Sequence, residues 1–194
     1  MNNGKYVIFI KNMVCPQCIL VVRQSLLQLG CTVQAVELGH AVINKPQDAI
    51  LQQITERLKE VGFDLLISEE ARTVEKVKIL LIRLLYFNTT IKWVDSYSEY
   101  LELFMQVEYE KLDKQFLSEC ECSIHEYFNT LRFERAKELI SYKTLSVRCI
   151  VEELGYGSYE ELSLDFEQRL KMDIKSYSDL DYNYRVSLDK IIYG

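Results

Sequence analysis

Cys15 and Cys18 frame Met13-Val14-Cys15-Pro16-Gln17-Cys18, a Cys-x-x-Cys between the strand-like run Tyr6–Ile10 and the helical pattern Ile19–Leu29. That position puts two thiols on a turn at a helix N-terminus, where free N–H groups and the positive end of the helix dipole favour thiolates. Two close thiolates form either a clamp for a soft metal or a dithiol/disulfide couple. A purely structural cysteine pair is the bland alternative. A second constellation, Cys120, Cys122 and His125, has Cys-x-Cys-x-x-His spacing, which is not that of a zinc knuckle and lacks a visible fourth ligand. Cys31 and Cys149 read as small buried apolar residues, and His40 as an exposed turn residue.

Elements around the first thiol pair follow from periodicity. Gly30 stops the first helix, Thr32–Leu38 reads as a strand, Gly39-His40 as a tight turn and Ala41–Asn44 as the hairpin partner. A helix from Gln47 or Asp48 to Val61 carries Ile50, Leu51, Ile54, Leu58 and Val61 on one face and ends at Gly62. Phe63–Ser68 is a last strand. The order strand-helix-strand-strand-helix-strand is the ferredoxin-like (βαββαβ) pattern. With Met-x-Cys-x-x-Cys after the first strand, residues 3–68 resemble the heavy-metal-associated domain of copper chaperones and metal-transporting ATPases. Asn12 stands where that family usually has Gly, and Val14 where it has a small polar residue or Asp. The resemblance implies Cys15 and Cys18 as ligands, with Met13 packed beneath the loop. Two sulfurs without a carboxylate imply a soft ion, Cu(I) ahead of Zn(II).

The 194 residues, 48% hydrophobic and 27% charged, suit two small globular domains. Ile79–Phe87, the longest apolar stretch, is interrupted by Arg83, so no membrane span is expected. The N-terminus does not read as a signal peptide, and six cysteines in that setting point to a cytoplasmic, reducing compartment. Neither proline lies beyond residue 46, so the remainder reads as helical. No internal repeat stands out. Ser68–Thr73 is an exposed charged connector able to cap a helix, Val74–Tyr86 is an amphipathic helix, Asn88–Thr90 breaks the pattern, and Ser96–Met105 is a short helix. Asp181–Gly194 forms a final helix or a packed tail.

Ile124–Ile140, with its Arg-x-x-x-Ala-x-x-Leu core, resembles the linker helix of AraC-type DNA-binding domains. Leu145–Phe166, containing Leu154-Gly155-Tyr156-Gly157-Ser158 and Leu162-Ser163, matches that family's second helix-turn-helix. Tyr109–Phe116 fits its first reading helix, and the likeness spans about 99–180. It implies two helix-turn-helix motifs entering successive major-groove segments. The sequence therefore divides into a heavy-metal-associated-like domain (1–68), a helical connector (69–107) and an all-α AraC-like domain (108–194). The candidate DNA-binding residues are Lys111 and Lys114 from the first motif, and Ser158, Tyr159, Ser163, Arg169 and Lys171 from the second. Arg132, Arg135 and Lys137 are expected to pair with Glu134, Glu138 or neighbouring helices.

Charge opposes that reading. The net charge is −6, whereas DNA affinity rests largely on neutralised phosphates. The second reading helix carries Glu160, Glu161, Asp165 and Glu167, and Lys171, Ile174 and Ser178 replace the family's usual Gly, Pro and Arg. No Gly-rich phosphate loop or nucleophile-base pair is present, so an enzyme is not expected. The expected function is a metal-responsive transcriptional regulator binding DNA, with a homodimer or a protein partner as further associations. The alternative is a regulator-derived metal-binding protein that has lost DNA binding and acts as a scaffold or metal chaperone.

Overall fold

A computed structural model describes residues 4–87, 96–180 and 185–193. Strand β1 (Lys5–Lys11) leads into α1 (Pro16–Gln28), then the hairpin β2 (Val33–Glu37) and β3 (His40–Asn44), α2 (Asp48–Glu60) and a short β4 (Asp64–Leu65). The sheet order is β2-β3-β1-β4 with every neighbouring pair antiparallel. Alternation along the strands decides the faces. Ile8, Ile10, Ala41 and Ile43 point inward, onto Val22 and Leu26 of α1 and Ile54 and Leu58 of α2. Phe9 pairs with His40 and Val7 with Val42 on the opposite face.

Local backbone demands explain the joints. Gly30, Gly39 and Gly62 all have positive φ. Gly39 has a second constraint, because a Cβ there would collide with Cδ1 of Ile79. His40 is the first residue of β3, half-buried and 6.5 Å from the Phe9 ring, so the turn lies one position earlier than expected. The expected strand Phe63–Ser68 is reduced to Asp64–Leu65, because Leu66 leaves after one hydrogen bond to Phe9 and Ser68 caps the next helix.

That helix, α3 (Glu69–Ile82), absorbs the expected connector: Ser68 Oγ accepts from the Ala71 N–H, and the first turn begins at Glu69. The chain continues as one π-helical turn, Arg83–Phe87. Asn88–Thr90 falls outside the described residues. Beyond them lie α4 (Tyr97–Met105), α5 (Tyr109–Cys120), α6 (Ile124–Tyr142), α7 (Val147–Leu154), α8 (Tyr159–Leu170), α9 (Ile174–Ser178) and α10 (Leu188–Tyr193). Side-chain caps set many starts: Ser96, Ser123, Ser146, Ser158 and Asp173 each accept from a backbone N–H of the first turn.

The helical region contains a repeat that the sequence reading did not find. Tyr109, Leu112, Phe116, Ile124 and Tyr127 recur at one constant offset as Tyr159, Leu162, Phe166, Ile174 and Tyr177. Leu112, Phe116, Ile124 and Tyr127 are buried, as are Leu162, Phe166, Ile174 and Tyr177. The helix stops also correspond, Glu121 and Lys171 both taking the left-handed conformation. The repeat is carried by apolar framework, while the intervening surface residues differ, which hid it.

Two cores result, and α3 serves both. Ile79 joins the core under the sheet, whereas Val74, Val77, Leu80 and Leu81 join the helical core. Val14, from the loop after β1, also lies in the helical core. Among the described residues, no helix is long and apolar enough to cross a membrane.

Candidate metal centre and nucleic-acid interface

The loop after β1 is fixed at both ends before its thiols are placed. Asn12 has φ 77°, a left-handed conformation that Asn tolerates better than most residues. That accounts for Asn where the resembled family has Gly. Its side-chain amide donates to the Gly62 carbonyl at 2.8 Å, and its backbone N–H donates to the Glu75 carboxylate of α3 at 3.0 Å. Met13 is fully buried, and Val14 inserts into the helical core. Cys15 is then the N-cap of α1, with Pro16 at the first helical position, where a missing N–H removes no bond.

Cys15 Sγ and Cys18 Sγ lie 3.3 Å apart, and Cys18 Sγ is 4.0 Å from the Asn12 carbonyl oxygen. Both cysteines are half-buried and pack against the helical core. The expected thiolate-favouring position is therefore corrected for Cys18: burial raises its pKa, opposed by hydrogen bonding from the Val14 backbone and helped by the neighbouring Cys15 thiol. Desolvation outweighs the helix end.

Cys120, Cys122 and His125 form no such centre. The His125 ring nitrogens are engaged by the Tyr97 hydroxyl at 2.8 Å and the Asn129 amide at 2.9 Å. No group of three or more His, Cys, Asp or Glu able to hold a metal exists among the described residues. Burial raises the Cys122 and Cys31 thiols. Cys31 is only half-buried and Cys149 is exposed, correcting the expectation for both. Each sits at an element end: Cys31 follows the Gly30 stop, and Cys149 faces outward on the first turn of α7, accepting from the Ser146 hydroxyl.

Two helix pairs, α4–α5 and α7–α8, flank α6. Gly155 supplies a left-handed turn (φ 66°) between α7 and α8, and buried Leu154, Leu162 and Phe166 seat α8. Lys111 and Lys114 are exposed on α5, with Lys111 paired to Glu108 at 2.9 Å. Tyr159 is half exposed at the start of α8. Ser158 is committed to capping that helix, and Ser163 is half-buried. Arg169 is turned back, bonding Asp165 at 3.4 Å with its guanidinium over the Phe133 ring, while Lys171 is exposed at the helix end.

The acidic residues of α8 divide into two sets. Glu161 accepts from Arg132 at 3.0 Å and from the Gly157 N–H at 2.7 Å. Asp165 accepts from the Tyr156 hydroxyl and from Arg169. These two carboxylates hold the motif together; Glu161 is nonetheless exposed, as are Glu160 and Glu167. Arg132 is the residue that sequence reasoning undervalued. It stacks over Tyr156 at 4.0 Å and donates to Gly155 O, Asn129 and Glu161, tying α6 to the turn and to α8. Arg135 pairs with Glu138 and Lys137 with Glu134, as expected.

Residues 104–179 match a family model described as a helix-turn-helix domain, of AraC type. No heavy-metal-associated family model matches the N-terminal unit. No curated protein and no solved structure matches the chain.

Proposed function

We propose that this protein is a cytoplasmic, DNA-binding transcriptional regulator whose N-terminal ferredoxin-like unit senses a soft metal. The observation that carries the DNA part is the repeated helix pair on either side of α6, of which α5, α7 and α8 lie within the matched segment. Such a pair presents α5 and α8 to successive major-groove segments. Lys111, Lys114 and Lys171 supply phosphate contacts, and Tyr159 with Ser163 reaches base edges. Ser158 and Arg169 serve chiefly by holding α8 in shape. This reading assigns no catalytic residue.

Cys15 and Cys18 would hold the metal. Their donor set, two sulfurs with no third His, Cys, Asp or Glu grouped with them among the described residues, suits two-coordinate Cu(I) better than a closed tetrahedral zinc site. A soft ion held there would supply two metal–thiolate bonds restraining the Cys15–Cys18 loop. Because that loop is seated on α3 and the helical core, its state bears directly on the DNA-reading unit. This placement favours a sensor over a chaperone, whose thiols need a free face for transfer.

The second reading, a regulator-derived scaffold without DNA binding, draws on exposed Glu160 and Glu167. Fluorescence anisotropy on a labelled duplex across a salt series separates the two. Binding with a steep negative salt slope supports the regulator; no binding at 50 mM salt, with or without Cu(I), supports the scaffold.

A further inference from the structure

Resting on the regulator reading, we propose that Glu75 and Lys78 of α3 couple the Cys15–Cys18 loop to the first DNA-reading helix, α5. Both charged side chains are buried, one helical turn apart, on a helix that is buried on nearly every side. Buried charges are costly and persist where they serve a specific contact. Glu75 accepts the backbone N–H of Asn12 at 3.0 Å, at the entrance of the thiol loop. The Lys78 ammonium lies 5.8 Å from the Phe116 ring centre of α5 and 5.7 Å from that of Tyr127 on α6. One end of this pair thus grips the loop, and the other lies under the first helix-turn-helix.

The geometry around the pair leaves little slack. Asn12 is pinned by Gly62 as well as Glu75, Val14 is inserted into the helical core, and Phe116 is fully buried. A close-packed contact chain of this kind transmits a displacement instead of absorbing it. An ion held by Cys15 and Cys18 would set their positions, and through Asn12 and Val14 that constraint would reach α3. Coupling of this sort is reciprocal, so a change under α5 must also alter the thiols.

The reciprocal direction provides the test. In the folded full chain, iodoacetamide alkylation of Cys15 and Cys18 is followed by mass, and hydrogen exchange is followed over Tyr109–Cys120. Glu75→Gln is nearly isosteric, Lys78→Met removes the charge, and Lys78→Arg retains it. Coupling predicts that Lys78→Met changes the alkylation rate of Cys18 by about fivefold or more, with Lys78→Arg close to wild type. It also predicts that Glu75→Gln alters exchange in α5, and that one equivalent of Cu(I) shifts α5 exchange in wild type but not in Glu75→Gln. Unchanged alkylation in folded Lys78→Met, or unchanged α5 exchange in Glu75→Gln, overturns the proposal; if Lys78→Met fails to fold, the Glu75→Gln exchange result decides. A chain that shows the coupling yet binds no duplex loses the regulator reading alone, and one that shows it yet takes up no Cu(I) loses the metal reading alone.

Discussion

Replacing acids on α8 should have opposite consequences according to what each carboxylate holds, since Glu161, exposed like Glu160 and Glu167, bonds Arg132 and the Gly157 N–H. Glu160 and Glu167 are exposed, so Glu160→Ala with Glu167→Lys removes two negative charges from the helix proposed to face DNA and adds one cation. One new phosphate contact steepens the salt slope by about 0.9, which weakens binding about threefold more between 50 and 200 mM salt. Affinity at the lower salt should rise. Glu161→Gln should behave differently. Its partner Arg132 has a side chain only 13% exposed, and the Gly157 N–H also depends on this carboxylate. Leaving those donors poorly paired costs about 1–3 kcal/mol, a fall in melting temperature of roughly 2–12 °C at 2–4 °C per kcal/mol. Anisotropy on one labelled duplex and a thermal melt read both effects. If Glu161→Gln melts like wild type and tightens DNA binding as much as the double variant, Glu161 faces DNA and its placement here is wrong.

Four further outcomes follow from the same contacts. Cys15→Ser with Cys18→Ser should abolish Cu(I) uptake in competition with a chromogenic chelator, and retained uptake would move the site. Asn12→Ala should destabilise by about 2 kcal/mol, combining left-handed strain with the lost Gly62 bond, whereas Asn12→Gly should cost about 1; equal melting of the two would deny the strain. A fragment of residues 1–68 loses α3, uncovering Gly39 and Val14, and should show less sheet dichroism at 37 °C than a 1–87 fragment, with equal stability refuting the shared helix. Burial raises the Tyr86, Tyr127 and Tyr156 phenols above their ordinary 10.0. Their folded pKa values exceed the unfolded ones, so their contribution is complete below about pH 10 and declines above it; unfolding monitored near 295 nm should begin there, and a flat melting temperature to pH 12 would contradict this.

Much of this was legible in sequence because it rests on short-range rules. Period-2 and period-3.6 patterns placed the four strands, α1 and α2, the resemblance to AraC-type domains placed the long linker helix, and Gly30, Gly62 and Gly155 marked true stops. The left-handed Asn12 was visible only as a departure, since its meaning depends on Gly62 and Glu75, distant in sequence. The segment Ser68–Thr73 reads correctly as able to cap a helix, but its extent as a connector is overestimated because charge in a first helical turn resembles charge in a loop; Glu69 and Glu70 complement the helix N-terminus there. Glu75 and Lys78 draw no reading from the sequence, although they interrupt an otherwise apolar surface at Val74, Val77, Leu80 and Leu81. The orientation of Glu161 and Asp165 depended on Arg132 and Tyr156 across the motif, which no local spacing reveals.

The affinity of the full chain for the duplex upstream of its own coding sequence, measured at 50 mM salt with and without one equivalent of Cu(I), tests the central claim most directly. Binding in at least one state, with affinities about fivefold or more apart and the difference lost in Cys15→Ser with Cys18→Ser, is the predicted result. No detectable binding in either state, or equal affinity in both, would contradict it.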